Sequence, residues 1–576
     1  MNYDSEIKDG LARIAREGVV RRIWGKDASL WKTDPEHQKI ISNSLGWLTV
    51  PRRMLDEADE IRAFADQIRE EGFAHVLVLG MGGSSLCPEV FRRTFGPVAG
   101  FPELLVLDST VPASVLAVER KIDAAKTLFI VSSKSGTTTE PQVFFEYFFD
   151  KAGRALGTDA GRNFIAITDP GTLLARQAEE KGFRRVFLNP PDIGGRYSAL
   201  SYFGMVPAAL AGYDIRELLD SAVRAMKSCE AEDENPGAQL GAALGVLARK
   251  GRDKLTLVIR PPLDSLGLWV EQLIAESTGK EGVGILPVAG EPLGDPSAYG
   301  SDRVFAYIHT QDSPDQQSET KLSQLISAGH PIVVRTLNNK YGLGEEFFIW
   351  EFATAVAGFF LGINPFDQPN VQESKDYTKA LLEGFESTGR LTEQELLVEE
   401  GGLRISADAA MKTLLAQPAL EGESPTSLAS VISLHVASVK PGDYVALTAY
   451  IEETPEHDRL LQEIRASIRD NLRVATTVGY GPRFLHSTGQ FHKGGPPTGV
   501  FIQITSDDAG EIPIPGRPYG FGVLKQAQAV GDFKSLASRN LRAVRFHAGD
   551  HVAFGLSALG ELVRNSVRTS AATGDS

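Results

Sequence analysis

The chain has 576 residues, of which 42% are hydrophobic and 23% charged, a composition typical of a globular protein with several domains. Its formal net charge of −15 argues against nucleic acid or an anionic membrane as the main partner, although local donors can still bind a small anion. Only Cys87 and Cys229 occur, so no disulfide framework is expected. We see no apolar signal segment and no apolar run near the ~20 residues of a membrane span, which predicts a soluble, cytoplasmic protein.

Residues 1–50 have weakly helical patterns and predict an N-terminal helical extension, and a regular alternation of helices and strands begins at residue 51. Short continuous apolar runs between helical patterns are typical of parallel strands that are covered on both faces. Such runs predict one doubly wound domain over 51–225 and a second over 238–384. The predicted strands are HVLVLG, ELLVLD, TLFIVSS, NFIAITD and RRVFLN in the first domain, and LTLVIR, GILPV, RVFAYIH and PIVVRTL in the second.

The pattern changes again in the last third of the chain. Residues 385–428 are rich in Glu and Gly with little periodicity, and they predict a linker. Residues 429–566 predict a third α/β module, with strands at DYVALTAYI, VATTVG, TGVFIQIT and AVRFHAG. Residues 567–576 predict a disordered tail. The predicted fold class is therefore α/β, with two doubly wound parallel sheets and a C-terminal α/β module.

Two loops rich in glycine and hydroxyl groups follow predicted strands of the first domain. Open parallel sheets bind ligands where their strands end, and the helix N-terminus found there favours phosphate. GMGGSSL is not a complete dinucleotide fingerprint, and SSKSGTTTEP is not a Walker loop. Each loop alone could be a well-capped turn, but two in one sheet favour a phosphate site. The candidate ligand-binding residues are Gly83, Ser84, Ser85, Ser133, Lys134, Ser135, Thr137 and Thr138.

Three further clusters carry groups suited to acid–base chemistry. Arg196 follows a Gly pair, which lets backbone approach a ligand closely. Gln272 and Glu276 lie one helical turn apart, on one face of a predicted helix. Gln368 and Lys375 flank the start of another helix. Taken singly, these are also compatible with a surface arginine, an exposed helix face and an N-cap region.

In this order, the five clusters resemble the phosphoglucose isomerase family, which is built from two sugar-isomerase (SIS) domains. The resemblance covers about residues 70–380. The segments that carry it are GMGGSSL, SSKSGTTTEP, GGRYS, EQLIAESTGK and FDQPNVQESK, and the separation of Gln368 and Lys375 adds to its specificity.

The resemblance implies interconversion of glucose 6-phosphate and fructose 6-phosphate through an enediol, as in glycolysis and gluconeogenesis. It implies a homodimer that needs neither metal nor cofactor, and the sequence offers no clustered metal ligands. Glu276 would be the base that moves a proton between C1 and C2, and Arg196 would stabilise the developing charge. Lys375 would be a further catalytic group. By the same resemblance, the phosphate site falls on Ser133, Lys134, Ser135 and Thr138, and the sugar contacts on Gly83, Ser84, Ser85, Gln272 and Gln368.

One element of the family pattern is missing. The histidine that opens the sugar ring would fall at Thr320. We expect His486 to replace it, reaching the site from another subunit, with His492 as second choice; both could also be ordinary loop histidines. The C-terminal module resembles that of isomerases fused behind a transaldolase, although no transaldolase half is present in this chain.

Two other functions fit parts of the pattern. A dual phosphoglucose/phosphomannose isomerase would exploit the room that Gly136 leaves in the loop. A non-catalytic sugar-phosphate sensor would keep the hydroxyl-rich loop but would not need Glu276 and Arg196, both of which are present.

Overall fold

The computed structural model describes residues 4–313, 315–391, 395–407, 411–413 and 427–574. Its strands form three sheets, and the fold class predicted from the sequence is confirmed. The first sheet has the order β2-β1-β3-β4-β5 and is parallel throughout. Its strands are β1 His75–Leu79, β2 Glu103–Leu107, β3 Thr127–Ser132, β4 Phe164–Thr168 and β5 Arg185–Leu188.

The second sheet is also parallel and has the order β7-β6-β8-β9. Its strands are β6 Lys254–Ile259, β7 Leu286–Val288, β8 Arg303–Thr310 and β9 Ile332–Leu337. Helices cover both sheets, which explains why their strands consist of continuous apolar runs. The helices of this part of the chain are Asp4–Glu17, Val19–Trp24, Pro35–Ser42, Val50–Glu70, Leu86–Phe95, Pro112–Lys121, Thr139–Leu156, Leu173–Glu180, Tyr202–Leu210, Ile215–Glu230, Pro236–Arg249, Leu266–Thr278, Gln316–Ser327, Leu343–Leu361 and Gln372–Thr388.

The third sheet has the order β10-β11-β15-β14-β12-β13, in which β13, β12, β14 and β15 are parallel. Its strands are β10 Leu396–Glu400, β11 Leu403–Ala407, β12 Tyr444–Tyr450, β13 Ala475–Tyr480, β14 Gly499–Thr505 and β15 Arg542–His547. Its helices are Leu428–Ala437, Pro455–Leu472, Gly489–Gly494, Phe521–Ser538 and Val552–Gly574.

Two C-terminal segments differ from the sequence-based expectation. The predicted linker 385–428 contains β10 and β11, a hairpin that pairs with β15. Gly401 and Gly402 both have positive φ at its turn, the conformation that a two-residue hairpin turn requires. The helix Val552–Gly574 runs through most of the predicted tail 567–576, and residues 575–576 lie outside the described residues.

The C-terminal module packs directly on the first sheet domain. The helix Phe521–Ser538 shares one hydrophobic core with β1, β3 and the helix Thr139–Leu156. The rings of Phe521 and Phe144 stack with their centroids 6.1 Å apart. This packing brings the C-terminal module against the end of the first sheet that carries both glycine- and hydroxyl-rich loops. In the part of the chain that the structure describes, no helix is both long and apolar enough to cross a membrane.

Candidate active site

The loop after β1 and the turn that carries Arg196 touch through Gly83. A Cβ atom placed on Gly83 would lie 1.9 Å from the carbonyl oxygen of Gly195, so no other residue fits without moving the backbone. Ser85 Oγ donates to the carbonyl of Gly82 and to Asp108, and Ser132 Oγ donates to the carbonyl of Ser84. The GMGGSSL loop is thus a rigid, buried support for the Arg196 turn.

The hydroxyl-rich loop after β3 is held in shape by its own side chains. Ser133 Oγ lies 3.3 Å from Thr138 Oγ1 and accepts from the Gly136 amide at 3.2 Å. Ser135 Oγ accepts from the amide and the hydroxyl of Thr137. The helix Thr139–Leu156 begins directly after Thr138, so its free N–H groups and partial positive charge lie at this loop. This arrangement suits a phosphate group.

Gly136 allows the backbone of this loop to adopt its conformation. Its φ is +66°, and a Cβ atom there would lie 2.9 Å from the amide nitrogen of Leu174 and from the Cβ of Thr172. The space beside Gly136 is therefore filled by protein, and this glycine does not widen the pocket for a second sugar.

Lys134 is directed away from the loop. Its ammonium donates to Asp169 and, at 3.1 Å, to the carbonyl of Pro191. Burial raises the pKa of Asp169, and the contact with Lys134 opposes that shift. Within the structure, Lys134 holds the β4 end beside the loop, whereas Ser135, Thr137 and Thr138 face a cavity.

That cavity has a volume of 660 Å³ and joins three parts of the chain. The first sheet domain contributes the hydroxyl-rich loop, and the helix Gln372–Thr388 contributes Lys375 and Lys379. The C-terminal module contributes His486, Lys493 and Gln528. The sequence-predicted residues that the structure brings to this cavity are Ser135, Thr137, Thr138, Lys375 and His486.

Arg196 forms the centre of a second, nearly buried cluster beside the cavity. Its Nε donates to Ser277 Oγ at 2.6 Å and its Nη1 to Gln368 Oε1 at 2.9 Å. Its Nη2 donates to the carbonyls of Pro365 and Asp367. Because each nitrogen has a fixed acceptor, the guanidinium is held in one orientation. Its Nη1 lies 3.7 Å from Glu276 Oε2.

The helix Leu266–Thr278 carries the other two groups of this cluster. Gln272 Nε2 donates to Glu276 Oε2 at 3.2 Å and to the carbonyl of His486 at 2.8 Å. The one-turn spacing of Gln272 and Glu276 therefore places both side chains on the same face, as the sequence predicts. Through Gln272, the cluster of Arg196, Gln368 and Glu276 adjoins the cavity at His486.

His486 reaches the cavity from its own chain. Its Nε2 lies 3.1 Å from Glu140 Oε1, and Gln528 Nε2 donates to the same oxygen at 2.7 Å. Thr110 Oγ1 donates in turn to Gln528 Oε1. Burial would raise the pKa of Glu140, but the charge and hydrogen bond of His486, with Lys375 nearby, lower it below its ordinary value. The expectation that this histidine reaches the site from another subunit is not needed for the observed contact.

His492, the second choice, lies elsewhere. It is buried between the rings of Tyr444, Phe484 and Phe501 in the C-terminal module. Burial lowers its pKa to about 3, so the imidazole is neutral. His492 does not line the cavity.

Several residues at this site were not identified from the sequence, and Glu140, Gln528 and Arg483 are three of them. Glu140 is buried and follows the hydroxyl-rich loop directly, and the available signal in the sequence was an acidic residue right after three threonines. Gln528 offered no local signal. Arg483, three residues before His486, donates to both oxygens of Asp108 at 2.9 and 3.0 Å and fixes the His486 segment to the first domain.

The described residues contain no group of three or more His, Cys, Asp or Glu side chains that could hold a metal ion.

Comparisons with known proteins match this fold and site. The family model described as phosphoglucose isomerase matches residues 49–309. The chain is 32% identical over 411 residues to a glucose-6-phosphate isomerase of Carboxydothermus hydrogenoformans, covering 61% of this chain and 88% of the relative. It is 31% identical over 420 residues to a glucose-6-phosphate isomerase of Heliobacterium modesticaldum, covering 62% of this chain and 91% of that relative.

A solved structure, a hypothetical protein from Thermus thermophilus, has a similar fold. The TM-score is 0.57 at 24% identity, over 66% of this chain and 98% of the other. Fold and sequence matches together define an enzyme of the isomerase class. The chain belongs to the phosphoglucose isomerase family. Gln368, Lys375 and His486 lie beyond the end of the matched family model, at residue 309.

Proposed function

We propose that this protein interconverts glucose 6-phosphate and fructose 6-phosphate through an enediol intermediate. The observation that carries the proposal is the pair formed by Glu276 and Arg196, 3.7 Å apart and nearly buried, beside a cavity that ends in a hydroxyl-rich helix N-terminus. The relatives named glucose-6-phosphate isomerase support this choice of substrate.

The phosphate end of the substrate would bind at the hydroxyl-rich loop. Ser135, Thr137 and Thr138 offer hydroxyls, the helix after Thr138 offers amide donors, and Lys375 adds a positive charge. Phosphate does not react in this step. Its binding energy would instead orient the sugar carbons toward Glu276.

Glu276 would take the proton from C2 of the open-chain aldose and return it to C1. As the C2–H bond breaks, its electron pair forms the C1–C2 double bond and negative charge develops on O1. Arg196 would stabilise that charge, and a guanidinium that is already fixed by its acceptors needs no reorganisation to do so. Transfer of the O2 proton and return of the carbon proton to C1 then give the ketose.

Ring opening would precede this step and is the role we assign to His486. Opening moves the O1 hydroxyl proton to the ring oxygen as the C1–O5 bond breaks, which an imidazole can mediate. Glu140, kept ionised by its surroundings, would hold the imidazole in place. Every group named here belongs to one chain, so a second copy would not be needed to complete the site.

A coupled assay with fructose 6-phosphate tests the proposal. The wild-type protein should turn over the sugar, and Glu276→Gln should lower kcat by about 10²-fold or more while substrate binding persists. Binding without turnover in the wild-type protein would overturn the proposed reaction. Full activity of Glu276→Gln would show that another group is the base.

A further inference from the structure

A second large cavity lies mainly in the C-terminal module, and none of its described lining residues lines the first cavity. It has a volume of 940 Å³ and opens at the carboxyl ends of β14 and β15, beneath the β10–β11 hairpin. The helix Phe521–Ser538 forms one wall and residues 389–391 another. The carboxyl ends of parallel strands are where open α/β sheets bind ligands.

The lining of this cavity is mainly basic, whereas the whole chain is acidic. The formal net charge of the protein is −15, yet the cavity is lined by Arg390, Arg404, Lys525 and Arg545, and Glu399 is the single acid among its described lining residues. Two nearby acids offset part of this charge. Asp508 accepts from Lys525 at 2.7 Å, and Asp507 lies 3.7 Å from Arg404.

Arg545 forms no direct ion pair with a carboxylate in the part of the chain that the structure describes, although the charge of Asp532 acts on it. Its Nε donates to Gln503 Oε1 at 2.7 Å, and its guanidinium lies over the Phe533 ring at 5.3 Å. Its Nη2 is buried and has no hydrogen-bond partner among the residues that the structure describes. The nearby carboxylate of Asp532 is occupied by Lys493 and Gln503. Burial lowers the pKa of Arg545 to about 10, which still leaves it charged at neutral pH.

A buried guanidinium N–H such as Nη2 of Arg545 is costly unless a partner supplies an acceptor. The hydroxyl of Thr505 and the side chains of Ser506 and Gln526 line the same cavity and offer further polar contacts. The lining also includes the apolar side chains of Phe385, Leu396 and Val523. A ligand that uses both kinds of contact carries an oxyanion and an apolar or aromatic body.

We propose that this cavity is a second ligand site, which binds a small organic phosphate with the phosphate on Arg545 and the body against Phe385 and Leu396. Arg404 and Arg390, at the rim, would add charge to the same end. This proposal concerns the C-terminal module and does not depend on the reaction proposed for the first cavity.

Calorimetric titration of the full chain with AMP tests the proposal, with adenosine as the matched compound that lacks the phosphate. Thr138→Ala, a change in the lining of the first cavity, should leave AMP binding unchanged, which shows that AMP is not bound there. We expect AMP to bind, and Arg545→Gln to weaken it by about tenfold or more, because hydrogen bonds to charged groups are strong. Arg568→Gln, an exposed arginine of the same module outside the cavity, should leave AMP binding unchanged.

Arg404→Gln provides a second variant in case Arg545→Gln destabilises the module, because the Arg404 side chain is 41% exposed. It should weaken AMP binding severalfold and leave turnover of fructose 6-phosphate unchanged. The proposal is overturned if AMP fails to bind the wild-type protein, or if adenosine binds equally well. It is also overturned if citrate binds more tightly than AMP, or if neither arginine variant changes the affinity. Turnover of fructose 6-phosphate is measured on the same samples. A failure of AMP binding can therefore be told apart from a failure of the isomerase proposal.

Discussion

Glu140 and His486 are 346 residues apart in the chain, and their side chains meet at 3.1 Å. One follows the hydroxyl-rich loop of the first domain, and the other belongs to the C-terminal module. The contact therefore joins the two parts of the molecule at the cavity itself. Gln528, from a second element of the C-terminal module, donates to the same carboxylate oxygen.

Replacing His486 by Ala should slow turnover of cyclic fructose 6-phosphate much more than turnover of an open-chain analogue. The physical reason is that opening the fructose ring breaks the C2–O5 bond and needs a proton carrier between O2 and O5, whereas the C1–C2 proton transfer uses Glu276; positioned acid–base groups contribute about 10²–10⁴-fold. Parallel kcat/KM measurements on both sugars check this. His551→Ala, an exposed histidine of the same module, is the control. Equal losses on the two sugars would contradict the role assigned to His486.

The segment before His486 should depend on Arg483 for its position. Arg483→Ala leaves the buried carboxylate of Asp108 without its bidentate partner, and breaking such a pair typically costs about 3–5 kcal/mol. Although burial disfavours the charged form, Asp108 and Glu453 hold the pKa of Arg483 above its ordinary value. We expect a lower urea midpoint and a larger loss of activity on the cyclic than on the open-chain sugar.

A double-mutant cycle measures the coupling between Arg483 and Asp108. Asp108→Asn combined with Arg483→Ala should cost less than the sum of the two single changes, because each single change strands the other charge. Strict additivity of the two losses would show that the ion pair does not position the His486 segment.

The close approach of Gly83 to Gly195 predicts a sharp effect of a single methyl group. Gly83→Ala should abolish turnover and lower stability, since its Cβ would lie 1.9 Å from a carbonyl oxygen and force the Arg196 turn away. Gly153→Ala is the matched control, because Gly153 lies inside a helix with open space beside its Cα. That change should be neutral or slightly stabilising, since alanine favours helix. An active Gly83→Ala enzyme would mean that the GMGGSSL loop and the Arg196 turn can move apart without loss of turnover.

Local patterns predicted the parts of the site that depend on one element at a time. Continuous apolar runs indicated the parallel strands, and the spacing of Gln272 and Glu276 placed both on one helix face. The Glu140–His486 contact depends on how the C-terminal module packs on the first sheet, which no local periodicity encodes. The β10–β11 hairpin was missed because short edge strands with several Glu residues resemble a linker, although Gly401 and Gly402 carried a turn signal.

Glu271 predicts how stability should change with pH. Burial raises its pKa to about 7, and the charges of Arg465 and Arg483 only partly oppose that shift. Because its folded-state pKa exceeds the unfolded value, the stability it contributes is complete below about pH 4.5 and is lost as the pH rises to about 7. The difference amounts to about 3 kcal/mol at about 1.4 kcal/mol per pKa unit.

Glu271→Gln removes this ionisation and should therefore become more stable relative to the wild-type protein as the pH rises. Urea unfolding of both proteins at pH 5 and pH 8 measures the change, with the exposed Glu456→Gln as the control. At pH 5 the difference between the variant and the wild-type protein should be small, because Glu271 is then still protonated in the folded protein and resembles an amide. At pH 8 the variant should be the more stable, since a buried carboxylate is replaced by a neutral group. A stability difference that stays constant across this range would mean that Glu271 is ionised in the folded protein throughout, with Arg465 and Arg483 as its full counter-charges.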